Sequence, residues 1–112
     1  MKNTMTQDST DKLAPMEFAL MDAVRVCKEN AFGATIWKEI QERTQRDYSS
    51  GAVYTGLNRL VKQHLVDKVK EADGKYHYYV TEKGKRALVS SRESYQRLID
   101  KTADIPSSWG YS

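Results

Sequence analysis

The run YSSGAVYTGLNRLVKQHLV over 48–66, followed at once by two short apolar stretches around Asp73-Gly74, constrains this chain more than any other feature. Val53, Leu57, Leu60, Val61 and His64 recur at the three- and four-residue spacing that lines one face of a helix, and Ser49-Ser50 is a helix-start signal. An amphipathic helix from 53 to 65 is expected, with Thr55, Arg59 and Lys62 on the opposite face, Asn58 and Gly51 on its shoulder and Tyr54 beside the apolar stripe. The run contains no acidic residue. Downstream, VDKVKEADGKYHYYVT predicts strands near 66–71 and 76–81, because Asp-Gly between β-branched and aromatic runs is a strong hairpin signal. Tyr76, Tyr78 and Val80 share one strand face, His77, Tyr79 and Thr81 the other, and Lys75 falls at the tip.

A helix leading straight into a two-stranded hairpin is the closing half of a winged helix-turn-helix, and the upstream sequence supplies the opening half. Pro15 suits a first helical turn, and Met16, Ala19, Leu20, Ala23, Val24 and Cys27 form a stripe that Ala31-Phe32-Gly33 is expected to end. Thr35 is the expected cap of a second helix with Ile36, Trp37 and Ile40 facing inward and Glu39 near its start, followed by the polar break Arg46-Asp47-Tyr48. The predicted class is α+β and mostly helical: a winged helix-turn-helix of three helices plus a two-stranded wing over 15–81, then a C-terminal dimerisation helix.

Thr81 is placed to cap that last helix, 82–102, along which Ala87, Leu88, Ser91, Tyr95, Leu98, Ile99 and Thr102 make one stripe. Three helices and a wing already close a core, so the stripe is expected to find cover on a second copy, with Phe18 and Met21 of the first helix, read as facing away from its main stripe, meeting the partner. Leu88, Ser91, Tyr95, Leu98 and Ile99 are the candidate interface residues of the last helix; folding back on its own domain is the simpler alternative. Residues 1–14 and 103–112 are expected to be flexible tails, with Trp109 and Tyr111 able instead to dock into a groove of the dimer.

Charge distribution says more than the net +3. Residues 49–65 carry Arg59 and Lys62 against no acid, and residues 82–101 carry six basic residues against three acidic ones. Such clustering suits phosphates, although a solvated outer face explains Arg92, Arg97 and Lys101 better. The candidate DNA contacts are Thr55, Asn58 and Arg59 for base edges, and Ser49, Ser50, Tyr54, Lys62, Lys75, His77 and Thr35 for the backbone. Double-stranded DNA and a second copy of the chain are the expected partners.

The residues GATIWKEI, SSGAVYTGLNRLVKQHLV and KYHYYVTEKGKRAL resemble the PadR-like winged-helix transcriptional regulators over about 15–101, with the MarR and ArsR types as near relatives. Tyr54, Leu57, Leu60, Tyr78, Thr81 and Gly84 match the family pattern, whereas His64-Leu65-Val66 stands where Gly-Leu-Val is usual and Ala34-Thr35-Ile36 replaces the commoner Gly-Tyr-Glu/Asp-Ile. A homodimeric, sequence-specific repressor on a pseudo-palindromic operator is expected, and the resemblance adds a small aromatic effector bound between subunits, which Trp37, Phe18 and Tyr95 could line; as core residues they need no ligand, and a regulator switched only by its own concentration is equally consistent. The rival is a winged-helix module for protein–protein assembly, in replication, segregation or phage proteins, for which an acidic patch on the third helix would have argued.

Other classes find little support. No stretch approaches the roughly 20 apolar residues of a membrane span, and the N-terminus lacks a signal-peptide core, so a cytoplasmic protein is expected. The single cysteine, Cys27, cannot form an internal disulfide and falls on a core stripe, which favours a structural over a redox role. His64 and His77 have no ligand cluster beside them, and neither a phosphate-binding glycine loop nor a nucleophile with a base is present, so no metal, no cofactor and no enzymatic activity are expected.

Overall fold

A computed structural model of the protein describes residues 13–102. Helix α1 (Pro15–Cys27) is followed by a short 3-10 turn, α2 (Gly33–Thr44), α3 (Ser50–Lys62), strands β1 (Val66–Lys70) and β2 (Tyr76–Val80), and α4 (Glu82–Lys101). The strands pair antiparallel, Val66 opposite Val80 and Lys70 opposite Tyr76, so the expected wing forms. A third backbone segment extends it: Phe32 bridges to His77, and the Tyr78 amide donates to the Ala31 carbonyl at 2.8 Å. That contact ties the wing to the connection between α1 and α2.

One core joins all the elements. Leu20, Ala23 and Val24 of α1, Ile36 and Ile40 of α2, Val53, Leu57 and Leu60 of α3, Val66 and Tyr78 of the wing, and Ala87 and Leu88 of α4 are buried in it. On the usual scale of about 1.5–3 kcal/mol for each large aliphatic side chain taken fully from water, these residues carry most of the drive to fold.

The local starts follow side-chain chemistry. Ser49 Oγ accepts the Ala52 amide at 3.1 Å to cap α3, and Thr81 Oγ1 accepts the Gly84 amide at 3.0 Å to cap α4. Thr81 also donates to the His64 carbonyl at 2.7 Å, locking the end of α3 to the start of α4. Gly84 lets the two meet: a Cβ there would overlap the Leu65 carbonyl oxygen and lie 2.9 Å from Met21 Cε.

Several sequence expectations need correction. Ala31-Phe32-Gly33 does not end α1, which stops at Cys27 and turns through Lys28 at φ 52°; Gly33 instead opens α2. Thr35 is therefore not the cap but a first-turn residue, its Oγ1 accepting the Phe32 amide at 3.0 Å and donating to the Asn30 carbonyl. His64 lies beyond α3 in the left-handed region, φ 63°, and is exposed rather than part of the stripe. Met21 is fully buried, not outward, because α4 covers a second side of α1 and brings Gly84 over the Met21 methyl. Ser91 is likewise buried within the chain: its Oγ accepts the Leu13 amide at 2.7 Å, and Tyr95 donates its hydroxyl to the Leu13 carbonyl. Leu13 is 2% exposed, so the ordered domain begins before Pro15 and takes in two residues assigned to the N-terminal tail. The remaining tail expectations, Trp109 and Tyr111 included, fall outside the described residues.

Candidate nucleic-acid interface

Helix α3 buries Val53, Leu57 and Leu60 and turns Ser50, Tyr54, Thr55, Asn58, Arg59 and Lys62 outward. Among the described residues, no hydrogen bond or ion pair occupies the side chains of Ser50, Thr55, Asn58, Arg59 or Lys62. A row of polar groups held on a rigid helix with its donors unspent is what a groove of base edges and phosphates requires. Arg59 and Lys62 also sit in the last turn, where positive charge suits the helix dipole, and this accounts for their position without any ligand. Lys83 is spent elsewhere, donating Nζ to the Gln63 carbonyl at 3.1 Å just past the end of α3.

The hairpin projects beside this face. Its turn runs from Glu71 to Lys75 with Gly74 at φ 90°, and Asp73 Oδ1 accepts the Lys75 amide at 3.0 Å, leaving the Lys75 side chain exposed at the tip. Lys68 Nζ lies 4.5 Å from the centre of the Tyr76 ring, a cation–π contact that steadies the wing face. A helix whose polar face has no partner among the described residues, flanked by a basic-tipped wing, is the arrangement of a winged helix.

Comparison with known proteins agrees. Residues 24–90 match the model of the transcriptional regulator PadR-like family. The chain belongs to the PadR-like family. No curated protein matches the sequence. Among solved structures it is similar to RosR of H. salinarum, at 22% identity, TM-score 0.61, 84% of this chain and 81% of the other. It is also similar to a winged-helix DNA-binding protein from STIV, at 20% identity, TM-score 0.63, 73% and 88% coverage. A third likeness is to MepR of S. aureus in its DNA complex, at 11% identity, TM-score 0.63, 93% and 72% coverage. These likenesses establish the winged-helix fold; the family match makes the protein a DNA-binding transcriptional regulator rather than an enzyme.

In this PadR-like regulator the expected contact residues separate into groups. Thr55, Asn58, Arg59 and Lys62 share the outward face of α3, with Ser49 and Ser50 at its start. Tyr54 is 43% exposed, but its ring lies across Gly33, where a Cβ would overlap its hydroxyl, so it joins α3 to the start of α2. Thr35 spends its hydroxyl on the loop before α2. His77 departs from expectation: its Nε2 lies 3.0 Å from the Lys28 carbonyl and its ring packs edge-on against Phe32. It anchors the wing to the α1–α2 connection instead of facing outward, because that segment adds to the β2 edge.

Sequence reasoning missed a cleft of about 370 Å³ lined by Phe32, Gly33, Thr35, Tyr54, Lys75, Tyr76 and Tyr78 among others. The signal was present in Phe32-Gly33 and the tyrosine-rich second strand, but Gly33 read as a helix stop. Burial, then the neighbouring Tyr54 and Tyr76 phenols, pushes the Tyr78 hydroxyl above its ordinary pKa.

The opposite side of the molecule carries a groove of about 650 Å³ between α1 and α4, lined by Phe18, Asp22, Arg25, Leu88, Tyr95 and Ile99 among others. Phe18 and Tyr95 meet edge-on at 5.5 Å between ring centres. Leu88 is nearly buried in its own chain, whereas Leu98 and Ile99 are 60% and 59% exposed. Trp37 does not join this groove; its Nε1 donates to the Tyr48 carbonyl at 2.6 Å. Asp22 on the groove wall takes Arg25 at 2.6 Å and also Arg43 of α2, which reaches Glu39 at 2.8 Å. Burial pushes the Asp22 carboxyl up, but the hydrogen bonds and charges of Arg25 and Arg43 outweigh it and hold the group below the usual carboxylate value. Burial and the Glu39 charge push the Cys27 thiol up, which lowers its nucleophilicity at neutral pH.

Among the described residues, no group of three or more His, Cys, Asp or Glu is placed to hold a metal, and no helix is long and apolar enough to cross a membrane.

Proposed function

We propose that this regulator works in the cytoplasm as a homodimeric, sequence-specific repressor on a pseudo-palindromic operator. The observation that carries the proposal is the outward face of α3, on which Thr55, Asn58, Arg59 and Lys62 stand exposed with no partner among the described residues. Thr55, Asn58 and Arg59 read base edges, Arg59 through a bidentate contact with guanine. Ser49, Ser50, Lys62 and, from the wing tip, Lys75 hold phosphates.

The exposed Leu98 and Ile99 at the distal end of α4 support a second copy, since apolar side chains of that size on one helix turn are seldom left to water. With α4 helices paired, the two α3 helices address half-sites about one helical turn apart. The groove between α1 and α4, walled by Phe18 and Tyr95 and rimmed by Arg25 and Arg92, offers the aromatic effector implied by the family a seat beside that interface.

In-vitro selection of bound duplexes followed by footprinting tests the proposal. The expected result is a two-fold symmetric footprint whose binding weakens steeply with added salt. Failure to bind any duplex at low salt would instead support a winged-helix module for protein–protein assembly.

A further inference from the structure

The cleft between the wing and the start of α2 has features that the outward face of α3 does not explain. Tyr78 is 3% exposed and its side chain lines the cleft, and its hydroxyl, which has no hydrogen-bond partner among the described residues, is not sealed from solvent. A phenol covered to this degree presents its O–H in one direction only, here toward the cleft. Tyr54 and Tyr76 add two further phenols to the lining, and Gly33, Ala34 and Thr35 contribute the first turn of the twelve-residue α2. First-turn amides have no carbonyl partner within their own helix, and the helix dipole favours negative charge beside them. Lys75 also lines the cleft, and no carboxylate does. Asp73, the nearest acid in sequence, faces its oxygen to the Lys75 backbone amide.

Donors from three elements therefore converge on one cavity: phenols, an ammonium and helix-start amides, with no acceptor of comparable charge. The absence of Cβ at Gly33 keeps Tyr54 against the helix start, and the Phe32–His77 bridge fixes the wing on the other side. We propose that this cleft grips a single backbone phosphate of bound DNA, with the largely covered Tyr78 as a donor at its floor and Tyr54, Lys75 and the α2 amides around it. The proposal rests on the DNA-binding role and adds a site in which a phosphate is held by a largely covered side chain. It gives the wing a second use, since a phosphate seated there fixes the position of the hairpin relative to α3 and thereby the register of the base-reading face.

The test uses the full chain and a duplex recovered by selection on the wild-type protein, synthesised as a series with one methylphosphonate linkage at each position in turn. Tyr78→Phe keeps the ring and removes the hydroxyl. It is expected to retain the wild-type melting temperature and to lose about tenfold in affinity for selected and unrelated duplexes alike, as loss of one phosphate hydrogen bond should. One methylphosphonate position should weaken wild type by a similar factor and leave Tyr78→Phe unaffected. Tyr54→Phe, altered at the accessible edge of the same cleft, should couple to that same position. Undiminished binding by Tyr78→Phe while Arg59→Ala binds weakly would overturn the cleft and leave the DNA-binding role standing. Weaker binding without coupling to any single phosphate, or coupling of the two tyrosines to different phosphates, would also overturn it. If wild type selects no duplex, the role and the cleft fall together.

Discussion

Among the described residues, the outer face of α3 and the distal end of α4 are both left uncovered, but with opposite chemistry. Thr55, Asn58, Arg59 and Lys62 offer hydrogen bonds and charge; Leu98 and Ile99 offer only apolar area. The first surface suits a polyanion, through contacts that salt weakens, and the second suits a copy of itself, through contacts that salt barely touches. Along α4 the change happens within one helix: Gly84, Ala87, Leu88 and Ser91 are buried in their own chain, and the apolar stripe then runs past the edge of the domain. An amphipathic helix longer than the core it covers is thus a structural strut with an exposed apolar end, the end through which the proposed dimer would form.

The largest expected effect comes from charging that end. Leu98→Asp with Ile99→Asp should abolish self-association in sedimentation measurements while leaving the fold intact, and should weaken operator binding by about a hundredfold or more as the two reading heads lose their linkage. A folded double variant that stays dimeric would remove the distal end of α4 from the interface. Next is Gly84→Ala at the proximal end. A helix interior normally gains about 1 kcal/mol from this change. Here overlap with the Leu65 carbonyl should reverse the sign and cost about 1–3 kcal/mol in urea unfolding, without altering the dimer affinity of folded protein.

Away from both surfaces, Asp22 ties α1 to α2 and makes the stability of the fold depend on pH. Its folded-state pKa is lowered, so its contribution is present above the ordinary carboxylate value and is lost as pH falls through the lower folded value. Asp22→Asn should start about 1 kcal/mol less stable at neutral pH and show a flatter acid descent than wild type in thermal melts. The smallest effect is expected at His64, whose left-handed backbone at φ 63° strains a residue with a Cβ. His64→Gly should raise stability by up to about 1 kcal/mol, the relief of strain exceeding the added freedom of the unfolded chain. No gain on that substitution would mean that the hydrogen bond from Thr81 to the His64 carbonyl already sets the geometry at no cost.

What the sequence made legible was local. The α3 stripe, the Asp-Gly hairpin and the Ser49 and Thr81 caps all depend on residues within a few positions of one another, and the structure has each of them. The corrections concern contacts across long stretches of chain. Ser91 meets Leu13 at a separation of 78 residues and His77 meets Lys28 at 49, and no periodicity encodes either. A single apolar stripe on α1 points Met21 outward, whereas a helix packed on two sides buries a wider arc. Gly33 illustrates the same limit: its missing Cβ serves Tyr54, twenty-one positions away, and only the fold shows that it opens a helix.

The proposed base-reading role of α3 is tested most directly by Arg59→Ala, measured against the selected duplex and a series carrying single base-pair changes. The expected result is a loss of about 1–3 kcal/mol on the selected duplex and collapsed discrimination at one base pair in each half-site, with the remaining positions still distinguished. Discrimination unchanged at every position, at wild-type affinity, would contradict that role.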